Sequence, residues 1–227
     1  MYTYLIINTC IIIFPLIMSF EQKVRYYRKF PRLFLSILIA AVPYIIWDSY
    51  AAIRSDWMFN IKYILGIRVF SLPVEEILFF ITVPFSSIFI YESLRVYIPE
   101  KTLKLNSKVY FAAGIAIVLI SFIFIDRYYT FTVLLFTGAF LMISSILFVE
   151  IINSKIFWIF NGVMYIPFLI FNYILTSLPV VIYSGKAVTG VRFLTIPAED
   201  FLYSFTLLSF YLSVYSLLGN KWRVKIK

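Results

Sequence analysis

The chain has no histidine and a single cysteine, Cys10, in 227 residues. Without histidine there is no haem, copper or zinc site of the common kind and no His-based triad. The side chain that moves protons most easily near neutral pH is missing too. Acid–base chemistry then falls to Asp, Glu, Tyr or Lys. One cysteine builds neither a disulfide framework nor a zinc cluster. No G-x-G-x-x-G or Walker A sequence occurs, so no dinucleotide or nucleoside-triphosphate site is visible. Charge is also scarce: 14% of residues are Asp, Glu, Lys or Arg, against about a quarter in soluble domains.

What is present is apolar. The chain is 63% hydrophobic, with a mean hydropathy of +0.95, so most of its surface must face lipid rather than water. Lys and Arg number 20 against 11 Asp and Glu, a net charge of +9. In a soluble protein that excess would suggest nucleic acid. No basic helix or RNA-type aromatic pattern accompanies it, and in a membrane protein it reads as cytoplasmic loops beside anionic lipid.

A spanning helix needs about 20 mostly apolar residues. The segments 2–20, 33–52, 73–94, 109–125, 130–149, 156–176 and 197–218 meet that need. The first has no basic leader and no small-residue cleavage site, and reads as a retained helix. With the N-terminus outside, segments 21–32, 95–108, 150–155 and 219–227 lie inside and hold most of the 20 basic residues. The positive-inside rule therefore puts the C-terminus in the cytoplasm.

The sequence repeats itself. A shift of 124 residues lays "PYIIWDSY" on "PFLIFNYI" and "ILGIRVFSLPVEEILFF" on "VTGVRFLTIPAEDFLYS" without a gap. Trp47 falls on Phe171, Asp48 on Asn172, Gly66 on Gly190, Arg68 on Arg192, Glu75 on Glu199 and Glu76 on Asp200. Several of these pairs are polar, so shared hydrophobicity does not explain them. The expected fold is all-α and polytopic, with seven transmembrane helices. Two parallel three-helix repeats, 1–94 and 130–218, are joined by a loop and linker helix, 95–129, and a basic tail, 219–227, follows. An odd linker helix restores the orientation that three crossings reverse, which implies a pseudo-two-fold axis along the membrane normal.

Each repeat opens its third helix with Pro-x-Glu-acid. Taken singly, that is ordinary helix chemistry: Pro suits the first turn, and acids there are favoured by the helix dipole by about 0.3–1 kcal/mol each. Two copies, with Asp48 or Asn172 on the preceding helix, point to a shared task. A carboxyl group walled by apolar side chains is a proton donor, because burial penalises its charged form. Adjacent helical residues point about 100° apart, so Glu75 and Glu76 present differently. Phe79 and Phe80 follow them, and Tyr203 holds the Phe79 position in the second copy. Aromatic faces beside such acids stabilise a carbocation by about 0.5–2 kcal/mol. Trp47 and Trp57 are further members of such a wall, Trp57 equally a belt residue. Arg68 and Arg192 are read as partners for the acids or as interfacial charges, Tyr91 and Tyr215 as belt residues at the inner side.

These stretches, with "WD" at Trp47 and "FN" at Phe171, resemble the membrane-integral lycopene cyclase family. The likeness is to the small-subunit bacterial type, fused in tandem in archaea and in fungal bifunctional carotenoid enzymes. It covers both repeats and leaves the linker helix out. It implies cofactor-independent, acid-catalysed closure of the acyclic end of lycopene to a β-ring. Glu75 or Glu76 would be the donor, Glu199 or Asp200 the second acid or base, and Asp48 a polar assistant. Trp47, Phe79, Phe80, Asn172 and Tyr203 would contact the substrate. The implied partners are a lipid-soluble carotenoid and membrane lipid, with other carotenoid-pathway enzymes or a second copy of the chain as neighbours. No cofactor or metal site is implied. Relatives that make ε-rings, cyclise C50 carotenoids or hydrate the end group share these features. A small parallel-repeat transporter is the rival class, though transporters set polar groups at the midplane and here they open the helices. The last helix has no lysine for a retinal Schiff base.

Overall fold

Each apolar segment holds a helix in the computed structural model, which describes residues 2–104 and 106–219. The helices are α1 (Thr3–Met18), α2 (Phe30–Ile53), α3 (Val74–Tyr97), α4 (Ser107–Ser121), α5 (Tyr128–Leu147), α6 (Val149–Ile152), α7 (Lys155–Ser177) and α8 (Ala198–Leu217). Among the described residues, five stretches are long and apolar enough to cross a bilayer: Tyr26–Ile53, Val74–Tyr97, Ser107–Phe124, Tyr128–Leu147 and Lys155–Ser177. They make this an integral membrane protein. At 16 residues α1 is shorter, and α8 carries many Ser, Tyr and Thr along its 20 residues. Residues 220–227 of the basic tail lie outside the described residues.

The connections at one end of the bundle are not plain loops. Six short strands form there: β1 (Trp57–Phe59), β2 (Arg68–Val69), β3 (Leu72–Pro73), β4 (Val181–Tyr183), β5 (Arg192–Phe193) and β6 (Ile196–Pro197). An all-α reading misses them because runs of two or three residues carry no legible period. They exist because backbone polar groups near a bilayer must find partners. β2 pairs with β3 and β5 with β6, in registers that differ by the same 124 residues. Gly66 and Gly190 adopt φ of +86° and +88°, a conformation that favours glycine, at the same point before each hairpin.

The pairing of β1 with β4 displays the pseudo-symmetry. It is antiparallel, with Trp57 opposite Tyr183, Met58 opposite Ile182 and Phe59 opposite Val181. Under the 124-residue shift each pair maps onto another pair of the ladder, so a two-fold axis passes beside Met58 and Ile182. The flanking bonds obey it as well: Asn60 N–H donates to Val180 O at 3.0 Å and Ser184 N–H to Asp56 O at 2.8 Å. Helix packing agrees, α2 lying on α8 and α7 on α3.

The linker helix α4 sits against α5 through glycine. A Cβ added to Gly114 would lie 2.7 Å from the Gly138 carbonyl, and one added to Gly138 equally close to that of Gly114. Small residues let membrane helices approach this closely. Prolines inside helices leave a carbonyl one turn back without its bond, and neighbours take two of these up. Ser86 donates to Ile11 O at 2.9 Å, opposite Pro15, and Tyr211 to Phe80 O at 3.2 Å, opposite Pro84.

One sequence expectation changes, and one of two alternatives is excluded. Tyr91 and Tyr215 are not belt residues but buried, at 2% and 0% exposure. Tyr215 donates to Glu92 at 2.6 Å, and Lys29 completes that cluster at 2.5 Å. Arg68 and Arg192 do not reach the acids. Each donates to its own hairpin, to Ser71 O at 3.0 Å and Thr195 O at 2.6 Å.

Candidate active site

The two adjacent acids of each repeat do different things. The first folds back on the loop before it. Glu75 Oε1 accepts from Leu65 N–H at 2.6 Å, and Glu199 Oε1 from Thr189 N–H at 2.7 Å. Thr189 Oγ1 and Thr130 Oγ1 also donate to Glu199, at 2.8 and 2.7 Å. Asn8 instead reaches the Glu75 carbonyl at 3.0 Å. Both carboxylates are buried and staple the Gly-x-Arg hairpin to the start of α3 or α8.

The second acid, turned about 100° around the helix, faces inward. Glu76 and Asp200 line one cavity of about 340 Å³ between the helices. Its walls are otherwise mostly aromatic and aliphatic. Tyr4 donates to Glu76, and Asp48, buried on α2, lies within electrostatic reach of that carboxyl. Asp48 Oδ2 has no hydrogen-bond partner among the described residues. Asp200 is held very differently. Tyr129 donates to it at 2.5 Å, Tyr183 at 2.9 Å and Asn172 at 3.0 Å. Burial first, and then the Asp200 charge, keeps the Tyr183 phenol protonated far above its ordinary range. Among the described residues, no salt bridge reaches Glu76, Asp48 or Asp200.

An aromatic cage closes over these carboxyl groups. Trp47 packs on Trp57 at 5.4 Å between centroids and stacks on Tyr203 at 5.6 Å. Tyr129 meets the edge of Trp57 at 5.1 Å and stacks on Tyr183 at 5.7 Å. The five rings come from α2, β1, α5, β4 and α8, so the β1–β4 ladder is what brings the two repeats' aromatic groups together.

Of the residues singled out from sequence, Asp48, Glu76, Asp200, Asn172, Trp47, Phe79 and Tyr203 line the cavity, and Trp57 does too. Glu75 and Glu199 sit behind it on the loop amides. Phe80 packs against Tyr44 in the core, 6.4 Å between centroids. Sequence reasoning missed Tyr4, Tyr129 and Tyr183. Tyr4 and Tyr129 are repeat partners in the structure: their backbone N–H groups both donate at 3.1 Å to equivalent loop carbonyls, Tyr63 and Ala187. They are 125 residues apart rather than 124, so an ungapped shift passes over them.

Fold and site together define an integral membrane protein in which a duplicated helical unit directs carboxyl groups into one apolar, aromatic-lined cavity. The chain belongs to the lycopene cyclase family, whose model matches residues 1–94 and 126–218. The unmatched stretch between them contains α4. No curated protein and no solved structure matches the chain. Family membership makes it an enzyme of carotenoid cyclisation acting on a lipophilic carotenoid.

Proposed function

We propose that the protein is a lycopene β-cyclase whose acid and base come from different repeats. The supporting observation is the unequal setting of two carboxyl groups on one apolar cavity. Glu76 faces a second acid, Asp48, with no cation beside it, and two close carboxyl groups cannot both ionise readily. Such a pair holds a proton to give. Asp200 receives three donors, which favour its carboxylate form, the form that accepts a proton.

The reaction is an isomerisation. The Glu76–Asp48 pair delivers a proton to C2 of the acyclic end, leaving a tertiary cation at C1. The C5–C6 double bond attacks, forming the C1–C6 bond and moving the cation to C5. Asp200 removes the proton from C6, and the electrons of that C–H bond restore the C5–C6 double bond. Nothing is oxidised or reduced overall. The cage rings face the migrating charge, each contributing about 0.5–2 kcal/mol. Asp200 ends protonated and Glu76 deprotonated, so a proton returns between turnovers. Tyr183, bonded to Asp200 and within electrostatic reach of Glu76 and Asp48, suits that return.

In this reading α1 and α8 cross the bilayer with the five more apolar spans, giving seven crossings and two parallel repeats, 1–94 and 130–218. The N-terminus and the hairpins lie outside, and the basic segments inside. Expression in a lycopene-accumulating bacterium tests the activity. A new monocyclic or bicyclic carotene with β-rings is expected. Unchanged lycopene beside a folded, inserted protein would refute it.

A further inference from the structure

The repeat gives the molecule two lateral clefts. One, between α1, α3 and α7, is walled by Ile11, Phe14, Pro15, Ser86, Pro167 and Phe168 and opens into the acid cavity. The other, between α2, α5 and α8, is a separate pocket of about 230 Å³ walled by Phe136, Ala139, Phe140, Phe210, Pro43 and Tyr44. Taken in that order the two sets are repeat partners, by 125 residues on α1 and α5 and by 124 elsewhere. One ancestral cleft thus has two fates.

Aromatic substitution separates them. Trp47, where the other repeat has Phe171, stacks on Tyr203 at 5.6 Å and meets the edge of Phe136 at 5.9 Å. Tyr44 contacts Tyr203 and Phe210, both at 6.0 Å. These rings stand between the second pocket and the acids. In the first cleft Ile11 replaces Phe136, Ser86 replaces Phe210 and Phe79 replaces Tyr203. The space that the Phe136 and Phe210 rings would fill there is part of the cavity. A cavity of about 340 Å³ is at the small end of the range for ligand sites, about 300–1,000 Å³. It takes an end group, and the remainder of a polyene must pass out to the lipid.

We propose that the linear part of the substrate leaves the acid cavity through the α1–α3–α7 cleft alone. The Trp47–Tyr203 stack closes the matching cleft, so the duplicated chain is a single-mouthed enzyme that takes one end group at a time. This route rests on the cyclase reading above, and the tests keep the two apart.

Cys10, the chain's single cysteine, is exposed and lines the open cleft. In detergent-solubilised protein, at a pH high enough for the thiolate to form and the lycopene-free chain to be alkylated, lycopene should slow N-ethylmaleimide alkylation of Cys10 several-fold, read by mass spectrometry. Equal rates with and without lycopene would overturn the route. Cys10→Trp should cut conversion about tenfold, since small displacements of a bound substrate are costly to rate. Ala139→Trp, which crowds the closed cleft, should leave it within about twofold. The reverse pattern would also overturn the route. Cys10 protection without conversion by the unmodified chain would instead refute the cyclase reading and leave the cleft as a carotenoid-binding groove.

Discussion

The two repeats hold one acid in the same setting and the other in unlike settings. Glu75 and Glu199 bind equivalent loop amides, those of Leu65 and Thr189. Glu76 and Asp200 occupy equivalent turns, yet one faces a carboxyl group and the other a carboxamide. The Asp48-to-Asn172 exchange is the pivot. Asparagine offers N–H donors, so Asn172 bonds Asp200 at 3.0 Å. A carboxylate at Asp48 offers none. Tyr183, which also bonds Asp200 at 2.9 Å, stands where the first repeat has Phe59, so two polar exchanges give the two acids unlike settings.

That comparison is broken most severely by removing the donor. Glu76→Gln should lower conversion about 10²- to 10⁴-fold, the usual worth of a positioned acid, with membrane insertion unchanged on fractionation. Next come the exchanges that make the repeats alike. Asp48→Asn should cost about 10²-fold by unpairing the shared proton. Asn172→Asp should cost about as much by setting a like charge against Asp200. Both are read as initial rates of ring formation in isolated membranes. Tyr183→Phe, which leaves Asp200 two of its three donors, should cost about tenfold, or roughly 1.4 kcal/mol. The smallest effect on rate belongs to the staples. Glu75→Gln and Glu199→Gln should keep conversion within about threefold while lowering stability by about 1–3 kcal/mol, measured as a lower midpoint of thermal aggregation in detergent.

Much of this was legible in the sequence because polar repeats stand out against an apolar background. The helical segments, the 124-residue shift, the acid pairs and Asp48 could all be read without coordinates. The sequence could not say which acid of each pair faces the cavity. That depends on the hairpin amides of Leu65 and Thr189, brought within reach by the turns at Gly66 and Gly190. Tyr4, Tyr129 and Tyr183 were hidden among 18 tyrosines. Their roles come from tertiary pairing, above all the β1–β4 ladder, whose three-residue strands leave no periodic trace. The inequality of the clefts was equally hidden. It rests on which rings touch across helices, not on their spacing along the chain.

The division of labour between repeats is tested most directly by the pigments that Asp200→Asn makes in a lycopene-accumulating bacterium, resolved by chromatography. With the donor pair intact, protonation and ring closure still occur, but no carboxylate waits at C6. The cation at C5 then loses a proton from C4 or a methyl group, so the residual product is expected to be enriched in rings other than β. Lycopene alone, or β-rings alone at the unmodified rate, would contradict the assignment of Asp200 as the base.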